Sequence, residues 1–172
     1  MNRPLRQAVL LIVVVASSLV LVAAASSGTT TPSITAVKVS GGPSNPVITV
    51  TGHGLTVPKP NPKTSPSGQP LCPLRISGNA GLDYGNEFFV NMWDGQPQTA
   101  NTELYAAGRY RPNLNELDCI GIVVLKHTAE RISFTFGHGY KQYYGAKPRF
   151  IRNGDVIEVG VGPARFATVV HF

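Results

Sequence analysis

The chain has 172 residues, with 15 Lys/Arg against 9 Asp/Glu for a formal net charge of +6; 14% of residues are charged and 42% hydrophobic. Low charge with that apolar content excludes a disordered chain, and 18 Gly with 14 Pro exclude a helix bundle or coiled coil. The length fits one domain that can bury a core of its own.

Arg3 and Arg6 precede an apolar run over residues 8–22, closed by Ala23, Ala24 and Ala25 and then a polar stretch. Basic start, apolar middle and small residues at the end make the pattern of a secretory signal. The run is short for a membrane span of about 20 residues, so the sequence predicts a signal at 1–25, cut after Ala25, and no stable membrane insertion afterwards, the alternative being a membrane anchor that is kept. The localisation expected is secreted or extracytoplasmic, with a bacterial flavour. Without two arginines of residues 1–25, 13 basic residues face 9 acidic ones, a net +4. Both cysteines, Cys72 and Cys119, remain. In an oxidising compartment such a pair is expected to form a disulfide, the alternatives being two buried thiols or half a metal site.

Residues 26–33 read as a Ser/Thr linker, and residues 34–172 as the domain. Short β-branched runs follow one another between turn signals. Residues 34–39 and 47–51 are the first two expected strands, with Ile48 and Val50 on one face. Residues 55–70 carry five prolines and predict an exposed loop. Residues 74–77 are a short strand candidate, and 87–93 a clear one. A weak strand is expected over 104–110, and a poorly capped helix over 99–107 is the best helical candidate. Residues 119–126 form a continuous apolar run and predict a strand covered on both faces. Residues 131–136 place Ile132, Phe134 and Phe136 inward; residues 155–161 place Ile157, Val159 and Val161 on one face; residues 165–172 close the chain. Seven to nine such strands predict an all-β, antiparallel β-sandwich.

The segment 32–55, PSITAVKVSGGPSNPVITVTGHGL, resembles the opening of an IPT/TIG-type immunoglobulin-like domain, with its initial proline, Gly-Pro turn and T-G-x-G strand end. ISFTFGHGY and IRNGDVIEVGV are loosely similar to later strands of secreted bacterial modules with this opening. The resemblance implies an immunoglobulin-like fold and a role as an extracellular binding or spacer module. The proline-rich loop and the cysteine pair depart from a minimal domain of that type.

No catalytic motif occurs: no zinc-protease H-E-x-x-H, nucleophile elbow, phosphate loop or dinucleotide fingerprint. His53 and His138 sit in Gly-His-Gly turns, and His127 and His171 at strand ends. Asp83, Asn86, Glu87 and Asp94 match no calcium-loop spacing. The sequence predicts no catalytic residue, no metal and no cofactor. Asp94-Gly95 and Asn153-Gly154 are tight-turn dipeptides without assigned function.

Residues 137–152, GHGYKQYYGAKPRFIR, are the informative segment. They hold Lys141, Lys147, Arg149 and Arg152 with no acid, interleaved with Tyr140, Tyr143, Tyr144 and Phe150. Four cations equal the net excess of the chain after residue 25. Exposed tyrosines offer faces for sugar stacking and hydroxyls for hydrogen bonds, and Lys and Arg add attraction for carboxylate or phosphate. Tyr140, Lys141, Tyr143, Tyr144, Lys147, Arg149 and Arg152 are therefore the expected binding residues. The expected partner is an anionic polysaccharide or wall polymer, or another extracellular protein, and no nucleic acid. A structural or adhesive spacer is the alternative reading, and a small secreted hydrolase the third.

Overall fold

The computed structural model describes residues 30–60, 81–99, 102–109, 120–137, 139–142 and 149–172. Eight strands occur among them: β1 (Ser33–Gly42), β2 (Asn45–His53), β3 (Phe88–Trp93), β4 (Glu103–Ala107), β5 (Ile122–His127), β6 (Arg131–Phe136), β7 (Val156–Val161) and β8 (Ala164–Val169). One helical turn, α1 (Gly139–Gln142), lies between β6 and β7. The strands form two four-stranded antiparallel sheets, in the orders β1-β2-β6-β5 and β4-β3-β7-β8. The fold is an all-β sandwich. Among the described residues no helix is long and apolar enough to cross a membrane.

Alternation sets the faces. In β2 and β6, Ile48 pairs with Phe134 and Val50 with Ile132, all four wholly buried. From the other sheet, Phe88, Val90 and Met92 of β3 and Ile157, Val159 and Val161 of β7 meet them. Phe88 crosses to Phe134 edge-on, with ring centroids 5.1 Å apart. Each such side chain stabilises the fold by about 1.5–3 kcal/mol relative to an exposed one. The residues between them face outward: Thr49, Thr51, Arg131, Ser133 and Thr135 on the first sheet.

The strand covered on both faces is not β5. Its residues from Leu125 onward are exposed, Leu125 by 55%. The apolar run there has another cause: the chain changes sheets. Ile120 bridges Ala107 in parallel, and Ile122 bridges Leu82 before joining β6 opposite Phe136. The amide of Gly108 donates to the Ile120 carbonyl (2.8 Å), and Leu82 and Ile122 exchange two backbone bonds of 2.8 and 3.0 Å. The strand buried along its whole length is β3, central in its sheet, where Phe89, Asn91 and Trp93 are buried on the face opposite the core.

That outer face is built around Phe89, which lies opposite Gly160 of β7. The guanidinium carbons of Arg109 and Arg165 lie 3.7 and 4.7 Å from its ring centroid. Arg109 also donates to Asn91 Oδ1 through Nε (3.2 Å) and Nη2 (2.8 Å), and Asn91 Nδ2 donates to Glu158 Oε2 (3.1 Å).

The weak strand expected over 104–110 is β4, and the poorly capped helix candidate over 99–107 does not form: the Thr99 amide donates to Thr102 Oγ1 ahead of the strand. Tyr105, Ala106 and Ala107 are buried there by pairing with β3, which overrides a weak helical preference. Residues 74–77, Cys72 and Cys119 lie outside the described residues.

Candidate functional site

The Lys/Tyr segment leaves β6 through α1, and Tyr140 on that turn points inward. Its ring is 2% exposed, among Phe136 (4.7 Å between centroids), Phe150 (5.4 Å) and Tyr105 (5.8 Å). Its hydroxyl donates to the Pro43 carbonyl in the β1–β2 turn (2.7 Å) and accepts from the Ile151 amide (3.0 Å). Tyr140 therefore offers no exposed stacking face; it fastens the segment to the sandwich. It also joins position 140 to position 151, closing the base of the chain between them.

Arg149 is held as firmly. Its Nη1 and Nη2 each lie 2.7 Å from an oxygen of Asp155, and Nη2 lies 2.7 Å from Asp94 Oδ1. Nη1 also donates to the Phe150 carbonyl (3.0 Å), and the Arg149 carbonyl accepts from the Tyr105 hydroxyl (3.1 Å). Arg152 reaches the same acids: Nη2 lies 3.2 Å from Asp94 Oδ1, and its backbone amide donates to Asp155 Oδ2 (2.8 Å). Asp155 is buried, while Asp94 is exposed. The Arg149 guanidinium beside Asp94, supported by Arg152, holds the Asp94 carboxyl below its ordinary range. The hydrogen bonds that Arg149 donates to Asp155 hold it yet more firmly protonated.

Two arginines thus meet two aspartates, and the cluster has no net charge. The aspartates come from the two tight turns that carried no functional expectation, Asp94-Gly95 and Asn153-Gly154-Asp155. Of the seven expected contact residues, Tyr140, Arg149 and Arg152 belong to this framework. Lys141 has its backbone on α1. Tyr143, Tyr144 and Lys147 lie outside the described residues.

Among the described residues the histidines do not meet. His53 ends β2 exposed, His127 Nε2 lies 3.1 Å from the Leu55 carbonyl, and His171 is exposed near the C-terminal residue. His138 lies outside the described residues. Asp83 is buried and accepts the Gly85 amide (2.8 Å), ordering a turn, and Asn86 Oδ1 accepts from Arg109 (3.2 Å), tying that turn to the residues after β4. Among the described residues no group of three or more His, Cys, Asp or Glu could hold a metal ion.

The solvent face of the β1-β2-β6-β5 sheet received no functional expectation. At its β5–β6 end lies a shallow depression of about 330 Å³ lined by Thr51, Lys126, Thr128, Glu130 and Arg131. The alternation of β1, β2 and β6 carries the signal: Lys38, Ser40, Thr49, Thr51, Arg131, Ser133 and Thr135 stand at outward positions there.

Comparison with known protein families, with curated proteins and with solved structures returns no match.

Proposed function

We propose that the protein is a secreted, non-catalytic binding module of immunoglobulin-like type. Its contact segment is the Lys/Tyr stretch between α1 and Arg149. The observation that carries this reading is the Tyr140 hydroxyl, bonded at once to Pro43 and Ile151. It brings both ends of the segment to one point of a rigid sandwich, as in compact surface loops that bind. Tyr140, Arg149 and Arg152 are support in this reading, and Lys141, Tyr143, Tyr144 and Lys147 are the contacts. The ligand class is an anionic wall polymer or polysaccharide.

An array of glycans and wall polymers, run at low and high salt, tests the proposal. Binding that falls on Tyr143→Ala or Lys147→Ala supports it. Absence of binding to every polymer favours the spacer reading, which draws on the exposed end of β5 around Leu125. Export is tested separately: the exported protein begins at Ser26 and holds Cys72 and Cys119 as a disulfide, with no thiol titrating before reduction.

A further inference from the structure

The cations that composition assigns to the Lys/Tyr segment are in part neutralised, as the Arg149 and Arg152 contacts show. Other unneutralised cations lie elsewhere. Among the described residues Lys38, Lys59, Lys126, Arg131 and Arg165 are exposed and make no ion pair, and three of them, Lys38, Lys126 and Arg131, stand on one sheet. All three project from the solvent face of the β1-β2-β6-β5 sheet.

The register fixes their arrangement. Lys38 of β1 lies opposite Thr49 of β2, Thr49 opposite Ser133 of β6, and Ser133 opposite Lys126 of β5. One straight row therefore runs Lys, Thr, Ser, Lys across four strands. Thr51 and Arg131 are paired in the next row. With strands about 4.8 Å apart, the two lysine backbones are about 14 Å apart across the sheet, and Arg131 is offset about 7 Å along it. Between the cations stand hydroxyls: Thr49 and Ser133 share a 3.1 Å hydrogen bond, and Thr51 and Thr128 line the depression beside Lys126 and Arg131. Glu130 is the one carboxylate lining it.

The depression is pre-formed. The Gly52 amide donates to the Glu130 carbonyl (3.0 Å) and the Leu55 amide to the Ala129 carbonyl (2.8 Å), so the end of β2 holds the β5–β6 turn in place. Thr128 Oγ1 accepts the amides of Glu130 and Arg131 (3.3 and 3.1 Å), fixing the turn from within.

We infer that this face binds an extended anionic polysaccharide, with Lys38, Lys126 and Arg131 taking its carboxylate or sulfate groups and the Thr/Ser rows its hydroxyls. Three exposed cations against one acid supply charge complementarity. The lining of the depression has no aromatic ring on which a nucleic-acid base would stack. The depression lies at the opposite end of β6 from Tyr140, so this inference stands even where the Lys/Tyr segment proves inert.

The test is direct binding of polygalacturonate by the purified protein, with neutral dextran as control. Wild type is expected to bind polygalacturonate and not dextran, more weakly at high salt. Lys38→Gln, Lys126→Gln and Arg131→Gln are expected to weaken binding roughly twofold to fivefold each, and about tenfold or more together. Glu130→Gln is expected to tighten it. The exposed positions leave folding intact, checked by an unchanged thermal transition. Undiminished binding in the triple variant overturns the inference, including the case where Tyr143→Ala or Lys147→Ala abolishes it instead. So does the absence of polygalacturonate binding. Equal affinity for duplex DNA or anionic vesicles, lost in the same triple variant, overturns the assignment to polysaccharide.

Discussion

Arg149 grips Asp155 at two points, Nη1 to Oδ2 and Nη2 to Oδ1, each at 2.7 Å. The aspartate is buried and the arginine about one-third exposed, so the carboxylate has little water to return to. Its remaining bond comes from the Arg152 amide, and its own carbonyl accepts from Val170. One residue thus ties the entry of β7 to the end of the Lys/Tyr segment through its side chain and to the end of β8 through its backbone.

Asp155→Ala is expected to destabilise the fold by about 2–4 kcal/mol, because it strands a part-buried guanidinium and an amide. Urea unfolding measures the loss. Arg149→Lys is expected to recover little of the pairing, since an ammonium cannot make the planar two-point contact.

Asp94 supplies a pH signature. Its carboxyl is held below the ordinary value of 3.8, first by the Arg149 hydrogen bond. A folded value below the unfolded one means that the contribution is complete above the ordinary range and drains away as pH falls through the depressed value. Asp94→Asn is therefore expected to melt below wild type at neutral pH, with the two curves converging under acid. A constant gap down to the lowest pH would place the effect elsewhere.

Tyr140→Phe keeps the ring and removes the hydroxyl. The Ile151 amide and the Pro43 carbonyl then lose a partner at a part-buried site. The expected cost is about 1–3 kcal/mol. Hydrogen exchange at the Ile151 amide should accelerate more than exchange in β2. Tyr140→Ala is expected to cost about 3–5 kcal/mol, since the Phe136, Tyr105 and Phe150 rings lose their common neighbour.

Gly160 leaves room for a ring. A Cβ there would stand 2.5 Å from Cε1 and 2.6 Å from Cζ of Phe89, whose ring is met by Arg109 and Arg165. Gly160→Ala is expected to destabilise by about 1–3 kcal/mol through overpacking. Pairing it with Phe89→Leu should cost less than the sum of the two single changes, which a double-mutant cycle reads.

The strands were legible wherever alternation follows from one buried face, as at Ile132, Phe134 and Phe136. The run before Lys126 misled because Ile120 and Ile122 are buried by different sheets, and a change of sheet leaves no periodic trace. The site was harder still. Tyr140 looks exposed beside Lys141 because nothing local announces that Pro43, far away in sequence, will accept its hydroxyl. Arg149 looks free because its acids stand in two turns, at Asp94 and Asp155, that only the fold brings together. The row Lys38, Thr49, Ser133, Lys126 has the same origin. Each residue is an ordinary outward position, and strand register makes them neighbours.

The Tyr140–Ile151 bond has a consequence for loop length. A chain whose two ends are fastened by one buried hydroxyl can be lengthened between them at small entropic cost. Loop-closure entropy rises by only about 0.6 kcal/mol for each doubling of length. A foreign peptide grafted between positions 141 and 148 would therefore start and end at points the fold already holds together.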